Sequence, residues 1–369
     1  MRVLITGSRG FIGKNLKVRL DELKIFDVEE YSRQDAIESL DNLVASVDAV
    51  VHLAGENRPT DKRQFDVVNL GLTQSICEAI KSSGKHIPLI LASSIQAEFD
   101  NPYGCSKNKA EEAVKSLFDE TGNPVTIYRL PGVFGKWCRP NYNSVVATFC
   151  HNIANEKPIK INSGYTSKFP LVYVDDVISS FISTLKETKY GISWAKVSPE
   201  YSVTLEELAN QIRAFENSRG SLISEPVGKG ITRALYATYI SYLPVNRFTY
   251  DVAQYSDERG VFVEMLKTQN AGQFAYFTAH PGVTRGGHYH HSKTEKFLVV
   301  SGEARFDFRN ILTNDTYQTT TLGETPKIVE TAPGWTHKIT NIGENTLVVM
   351  LWASEIYDSN RTDTIPCEV

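Results

Sequence analysis

The opening residues MRVLITGSRGFIG place the tightest constraint on the fold. A short apolar run, Val3-Leu4-Ile5, leads into Gly7, Gly10 and Gly13 at GxxGxxG spacing, and GFIGKNLKVRLDEL continues with helical patterning. Strand, glycine loop and helix in that order begin a βαβ unit. The glycines let the backbone approach a pyrophosphate, and the helix N-terminus favours its negative charge. Arg9, Phe11 and Ile12 share the loop, and Leu53 and Ala54 end the next strand-like run, AVVHLAG. All five join the three glycines as candidate dinucleotide contacts.

The alternation continues through FDVVNLGLTQSICEAIKSSG, IPLILASS, PYGCSKNKAEEAVKSLFDETG and VTIYRLPGVFG. This rhythm predicts a doubly wound α/β domain, a parallel sheet covered by helices, with VTIYRLPGVFG as one strand. Residues 141–240 are less regular, with a helix expected at TLEELANQIRAF. Beyond 241–248 the chain turns rich in Thr, Val, Phe and Tyr. FVEMLK, GQFAYFTAH, EKFLVVSG, EARFDFRN, KIVETAPG and TLVVMLWA read as short strands of an all-β sandwich or barrel. A chain of 369 residues suits two domains. The texture change places them at 1–243 and 244–369.

A net charge of −4 without a basic block gives no footprint for nucleic acid or for a membrane surface. No apolar run approaches bilayer-spanning length, and the first residues lack signal-peptide character. Five scattered cysteines without CxxC spacing fit a reducing compartment, so a cytoplasmic protein is expected.

YGCSK, residues 103–107, carries the first chemistry. Tyr103 and Lys107 are four apart and share a helix face. Asn101 and Pro102 read as an N-cap and a first helical residue. Tyr103 therefore meets the positive end of the helix dipole and an ammonium, both of which favour phenolate and a lowered pKa. It becomes a candidate proton donor or acceptor, with Ser94 at the preceding strand end to hydrogen-bond a substrate oxygen. Asp27, Glu29 and Glu30 occupy the window for a ribose-binding acid. Arg9 and Arg33 instead suit a 2′-phosphate, and the balance favours NADPH.

GGHYHHSKTE, residues 286–295, carries the second chemistry. His288 and His290 are two apart, so on a strand they face the same way, while His291 faces the other. Glu295 opens the next strand, and His337 is the single histidine after 291. Imidazoles and a carboxylate on adjacent strands suit a borderline divalent metal, zinc above all.

TGSRGFIG, VHLAG, VVNLG, LASS with YGCSK, RLPGVFG and FPLVYVDDV together resemble the extended short-chain dehydrogenase/reductase family. The resemblance implies a nucleotide-sugar substrate and a Ser94–Tyr103–Lys107 triad. Lys107 would also hold the nicotinamide ribose, and Asn69 would lie beneath the cofactor. Gly282, His288-x-His290, Glu295 and Gly302, then Pro333-Gly334-x-x-His337, resemble the two cupin motifs, with Pro and Gly adjacent in the second. That implies a small metal-centred β-barrel.

The pairing as a whole resembles the bifunctional enzymes of capsular polysaccharide synthesis that make the precursor of UDP-N-acetyl-L-fucosamine. It implies C3 epimerisation of a UDP-4-keto-6-deoxy-aminosugar in the cupin domain. C4 reduction with NADPH follows, giving UDP-2-acetamido-2,6-dideoxy-L-talose, and both families suggest a homodimer. The proton carrier at C3 is open among Arg285, Lys293, Lys296 and a metal-bound water. Three alternatives stand beside this reading: a one-step 4-ketoreductase with a structural cupin module, an iron oxygenase, and a cofactor sensor.

Overall fold

Six parallel strands form the first sheet of this computed structural model, which describes residues 1–161, 166–257, 260–263, 265–268, 272–355 and 362–369. They are β1 (Arg2–Thr6), β2 (Asp27–Tyr31), β3 (Ala49–His52), β4 (Leu89–Ser94), β5 (Val125–Leu130) and β6 (Ile192–Ala195), in the order β2-β1-β3-β4-β5-β6. Helices α1 (Phe11–Leu23), α2 (Leu72–Ser83) and α3 (Pro102–Thr121) connect them. The central strands are mostly buried and rich in apolar residues, as expected where helices cover both faces of a sheet. Leu4, Val50, Leu89, Leu91, Val125 and Ile127 pack against Ile76 and Ile80 of α2 and Val114 and Leu117 of α3.

VTIYRLPGVFG is not one strand. Pro131 has no amide hydrogen to donate, and β5 ends at Leu130. Gly132–Phe134 then joins Phe169–Tyr173 and Glu200–Val203 in a separate three-stranded sheet.

Contacts divide the chain into Met1–Ser144 with Phe169–Val203, and Val145–Lys168 with Thr204–Val369. This geometric division does not follow the change of texture near 243. Helices α4 (Val145–Ala154), α5 (Leu205–Ser221) and α6 (Gly230–Ile240) belong to the second unit. There, Arg219 of α5 and Tyr236 of α6 both bind the buried Glu330 of the β-rich segment.

The β-rich segment contains β7 (Thr249–Asp251), β8 (Gln273–Ala279), β9 (Thr284–Tyr289), β10 (Glu295–Ser301), β11 (Glu303–Asn310), β12 (Thr316–Leu322), β13 (Lys327–Glu330), β14 (Trp335–Asn341), β15 (Leu347–Ala353) and β16 (Ile365–Pro366). Two five-stranded antiparallel sheets result, ordered β7-β13-β10-β15-β8 and β12-β11-β14-β9-β16. Period-two burial is clear in β11, where Ala304, Phe306 and Phe308 point inward. Phe297, Ile339, Val349 and Trp352 are buried as well. The expected strand FVEMLK is not one strand: its ends fall in Gly260–Val263 and Lys267–Thr268, which belong to different sheets, Met265 and Leu266 lie in no strand, and Glu264 is outside the described residues.

None of the five cysteines is in a disulfide. Burial pushes the Cys77 thiol up to about 12 and the Cys138 thiol to about 11, so both are unreactive packing residues.

Two candidate active sites

The glycine loop is closed by contact rather than by composition alone. Gly7 adopts φ +72°, and a Cβ there would lie 2.8 Å from the Ala54 backbone. At Gly13 a Cβ would lie 2.2 Å from the Gly7 carbonyl oxygen. The loop is therefore folded tightly onto Leu53–Ala54, and the Ala54 amide donates to Thr6 Oγ1 at 3.3 Å. Helix α1 starts at Phe11 with Gly10 as N-cap, without side-chain capping and without an acid in its first turn. Its first amides lack the side-chain partner that helix ends usually recruit, and this suits a pyrophosphate.

The tip of β2 bears on cofactor choice. Asp27, Glu29 and Glu30 lie within the strand, and Lys17 engages Glu30. The strand ends at Tyr31, whose carbonyl accepts from the Gly7 amide at 3.0 Å, and Ser32-Arg33 follow. Asp35 closes the turn beyond that tip, its carboxylate accepting from the Ser32 amide at 2.7 Å and from the Ser32 hydroxyl at 2.8 Å. Arg9 donates to Gln34, and the exposed Arg33 donates to Glu56 Oε2 at 2.7 Å.

Asn101 caps α3 by accepting from the Gly104 amide at 2.8 Å, with Pro102 as its first residue. Gly104 is required by crowding: a Cβ would fall 2.1 Å from the Gln96 carbonyl oxygen. This close approach brings the turn after Ser94 toward the start of α3, where Tyr103 lies. Ser94 Oγ also accepts from the Gln96 amide at 3.1 Å. Lys107, one helical turn on, is buried and donates to the Ala92 carbonyl at 2.7 Å.

One expectation is corrected here. The Tyr103 pKa is raised, because burial outweighs the lowering effect of the nearby Ser94 hydroxyl. Lys107 moves the other way, down to about 8, because burial outweighs the opposing charge of Glu111.

Three further residues shape this site. Glu111, fully buried and four positions after Lys107, accepts from Ser93 Oγ and from Arg129, whose Nη2 lies 2.6 Å away. Its helical spacing from Lys107 was the signal available in the sequence. Asn69 accepts from the Glu56 amide at 2.7 Å and donates to Ser106 of α3 at 2.9 Å, joining the loop after β3 to the helix of Tyr103. His52 bonds Thr6 at 2.6 Å and Thr73 at 2.9 Å. Burial, with the Lys107 charge, drops its pKa to about 3, so it is a neutral strut.

In the second unit, His288, His290, Glu295 and His337 each offer a donor atom, all within 4.8 Å of one another. His288 and His337 are cross-strand partners on β9 and β14, while Glu295 begins β10 of the other sheet. His337 sits on the inward face of β14, beside the rings of Phe297 and Phe308. Glu295 Oε2 lies 3.2 Å from His290 Nε2 and 3.3 Å from His337 Nε2. Donors around a tetrahedral ion with bonds of about 2 Å stand about 3.3 Å apart, so the four residues fit a divalent cation.

Burial depresses the His337 pKa, and burial with the neighbouring imidazoles drops His288 to about 4. Their nitrogen lone pairs are therefore available at neutral pH. Burial opposes ionisation of Glu295, but His290 and His337 hold it well below the usual carboxylate range. His291 lies outside the cluster, stacked edge-on against Tyr289.

The cations considered for proton transfer separate clearly. Lys293 Nζ lies 3.3 Å from Glu295 Oε1. Lys296 faces the opposite side of β10 and pairs with Glu330 Oε1 at 2.8 Å. Arg285 is exposed and donates to the Thr278 carbonyl at 3.1 Å. Asp363, which sequence reasoning missed, accepts the amides of His291, Ser292 and Lys293 at 2.9, 2.8 and 2.8 Å. Its separation of some seventy residues from those partners left no local signal.

Residues 3–193 match the NAD dependent epimerase/dehydratase family, and residues 255–365 match the polysaccharide biosynthesis C-terminal domain. The chain is 53% identical over 369 residues to UDP-2-acetamido-2,6-beta-L-arabino-hexul-4-ose reductase of Pseudomonas aeruginosa, covering 100% of this chain and 99% of that protein. It superposes on the capsular polysaccharide assembling protein CapF of Staphylococcus aureus with a TM-score of 0.67 and 36% identity, over 100% of both chains. UDP-glucuronic acid 4-epimerase of Bacillus cereus is similar in fold at 20% identity and a TM-score of 0.52, over 59% of this chain and 84% of that one.

Proposed function

The chain belongs to the NAD dependent epimerase/dehydratase family, in its CapF-like bifunctional branch, and from that membership we propose that it epimerises C3 and then reduces C4 of a UDP-4-keto-6-deoxy-aminosugar. The observation that carries the reading is the presence in one chain of two separate chemical sites. One is a hydroxyl pair and lysine beside a dinucleotide loop, and the other is a buried three-histidine, one-carboxylate cluster. Functionally we assign the reductase to residues 1–243 and the epimerase to residues 244–369, the latter a cupin-like barrel acting within a cytoplasmic homodimer.

When bound, NADPH would supply a hydride, and a divalent ion, zinc by its donor set, would supply Lewis acidity toward a carbonyl oxygen. In the cofactor site, Gly7, Gly10 and Gly13, with Arg9, Phe11, Ile12, Leu53 and Ala54, cradle the dinucleotide. NADPH is favoured over NADH because Arg9 and Arg33, beside the end of β2, can pair with a 2′-phosphate. Ser94 donates a hydrogen bond to the C4 oxygen, and Tyr103 gives that oxygen its proton. Its raised pKa keeps Tyr103 protonated at neutral pH, the state a reduction requires. Lys107 orients the nicotinamide ribose and places positive charge near Tyr103.

In the second site, His288, His290, Glu295 and His337 hold the ion. Lys293, with its ammonium beside Glu295, is the side chain we place at C3, where it can return a proton to the carbon once that proton has been removed. The C3–H is acidic only while C4 remains a ketone, so epimerisation comes first and reduction fixes the result.

The test is product analysis by NMR after incubating the metal-loaded protein with the ketosugar and NADPH. The wild type is expected to give a sugar inverted at C3 and reduced at C4. Glu295→Gln is expected to give reduction without inversion. Reduction with retained C3 configuration by the wild type would reject the epimerase assignment, and the absence of NADPH oxidation would reject the reductase.

A further inference from the structure

Asp363 donates no atom to the histidine cluster, yet its contacts converge on it. Its backbone carbonyl accepts from His290 Nδ1. A carbonyl oxygen can only accept, so the proton is on Nδ1 and the Nε2 lone pair faces the cluster. The carboxylate takes three consecutive amides, those of His291, Ser292 and Lys293, and the Ser292 hydroxyl donates to it as well, at 3.1 Å. Those residues form the turn between His290 and Glu295.

The next residue, Thr364, accepts from Lys293 Nζ at 3.2 Å. Beyond it, Ile365 and Pro366 pair with Tyr289 and His288, and the Cys367 amide donates to the Gly287 carbonyl at 2.8 Å. Residues 363–367 thus run alongside β9 and touch each residue from 287 to 293.

We propose that Asp363 is the positioning residue of the metal centre, fixing the tautomer of His290 through its carbonyl and the turn 291–293 through its carboxylate. The proposal rests on reading the four-residue cluster as a metal site. The carboxylate matters because a side chain without acceptors leaves three part-buried amides without this acceptor. The turn then relaxes, and His290 loses its orienting carbonyl. Losing such outer partners typically weakens metal binding by about 10- to 100-fold.

The experiment uses the full chain stripped of metal and titrated with Co(II) alone, followed by visible absorption and by competition with a chelator. Thermal unfolding is recorded with and without Co(II). The wild type is expected to bind one equivalent. Asp363→Ala is expected to bind at least about 10-fold more weakly with altered ligand-field bands, and Asp363→Asn, which keeps one acceptor oxygen, to fall between. The Co(II)-induced rise in Tm should shrink in the same order.

A residue of merely structural importance would lower Tm equally with and without Co(II) and leave the bands unchanged; that result overturns the proposal. If Asp363→Ala does not fold, Asp363→Asn decides: wild-type affinity and spectrum in that variant overturn the proposal. A wild-type protein that takes up no Co(II) rejects the metal reading itself, and the proposal with it. Wild-type binding with unaffected variants rejects the proposal alone.

Discussion

Tyr103 and Lys107 show how one helix turn can hold two groups with opposite displacements. Burial raises the tyrosine and, against the charge of Glu111, lowers the lysine to about 8. In the reducing direction the phenol must stay protonated and the ammonium charged. NADPH oxidation with the ketosugar should therefore be level near pH 7 and decline as the pH rises through about 8, where Lys107 loses its proton. A rate that holds to pH 10 would remove Lys107 from the mechanism. Tyr103→Phe removes the proton donor but none of the glycine loop. Turnover should drop by about 10²- to 10⁴-fold, the usual worth of a positioned acid, while NADPH binding, read by fluorescence, is retained. Tyr103 and Lys107 were legible from their spacing; the direction of the tyrosine's displacement was not. The dipole and the ammonium can be read from a helix start, whereas burial depends on Phe65 and other neighbours distant in sequence.

At the level of elements, legibility followed burial. Strands β1, β3, β4 and β5 are rich in buried apolar residues because both faces are covered, and their sequences announce them. Edge strands do not. β2, DVEEY, lies at the margin of the first sheet, and β12, TYQTTTL, lies at the margin of a second-unit sheet with only Thr321 buried. Neither shows a strong pattern, because an edge strand half-open to water needs few apolar residues. The start of α3 was legible from Asn101-Pro102, but the reason for Gly104 was not, since it meets the carbonyls of Gln96 and Phe99 from another turn. Gly104→Ala should force α3 away from that turn and separate Tyr103 from Ser94. The expected outcome is a loss of about 1–3 kcal/mol in chemical denaturation, with turnover reduced more than cofactor affinity. An unchanged turnover would show that the close approach does not position the tyrosine.

Across the whole molecule, the two chemistries rest on differently built units. The second unit places a buried ionic network beside its metal cluster. Glu330 takes Lys296 at 2.8 Å and Tyr236 at 3.0 Å, with Arg219 on its other oxygen. Burial alone would raise its pKa, but Lys296 and Arg219 depress it to about 2 from the ordinary 4.5. A depressed carboxylate contributes stability that is complete above its unfolded pKa and is lost as pH falls toward the folded one. This contribution should therefore fade between pH 4.5 and 2. Glu330→Gln leaves two buried cations without their counterion and should cost about 3–5 kcal/mol at neutral pH, measured by denaturation of the full chain.

The central claim, that the histidine cluster performs carbon-acid chemistry independent of the reductase site, is tested most directly by solvent exchange. The metal-loaded protein is mixed with the UDP-4-keto-6-deoxy-aminosugar in heavy water without NADPH, and deuterium at C3 is followed by NMR. Wild type and Tyr103→Phe should both incorporate deuterium, and Glu295→Gln should not. Exchange that persists in Glu295→Gln, or that is absent from the metal-loaded wild type, would contradict the account.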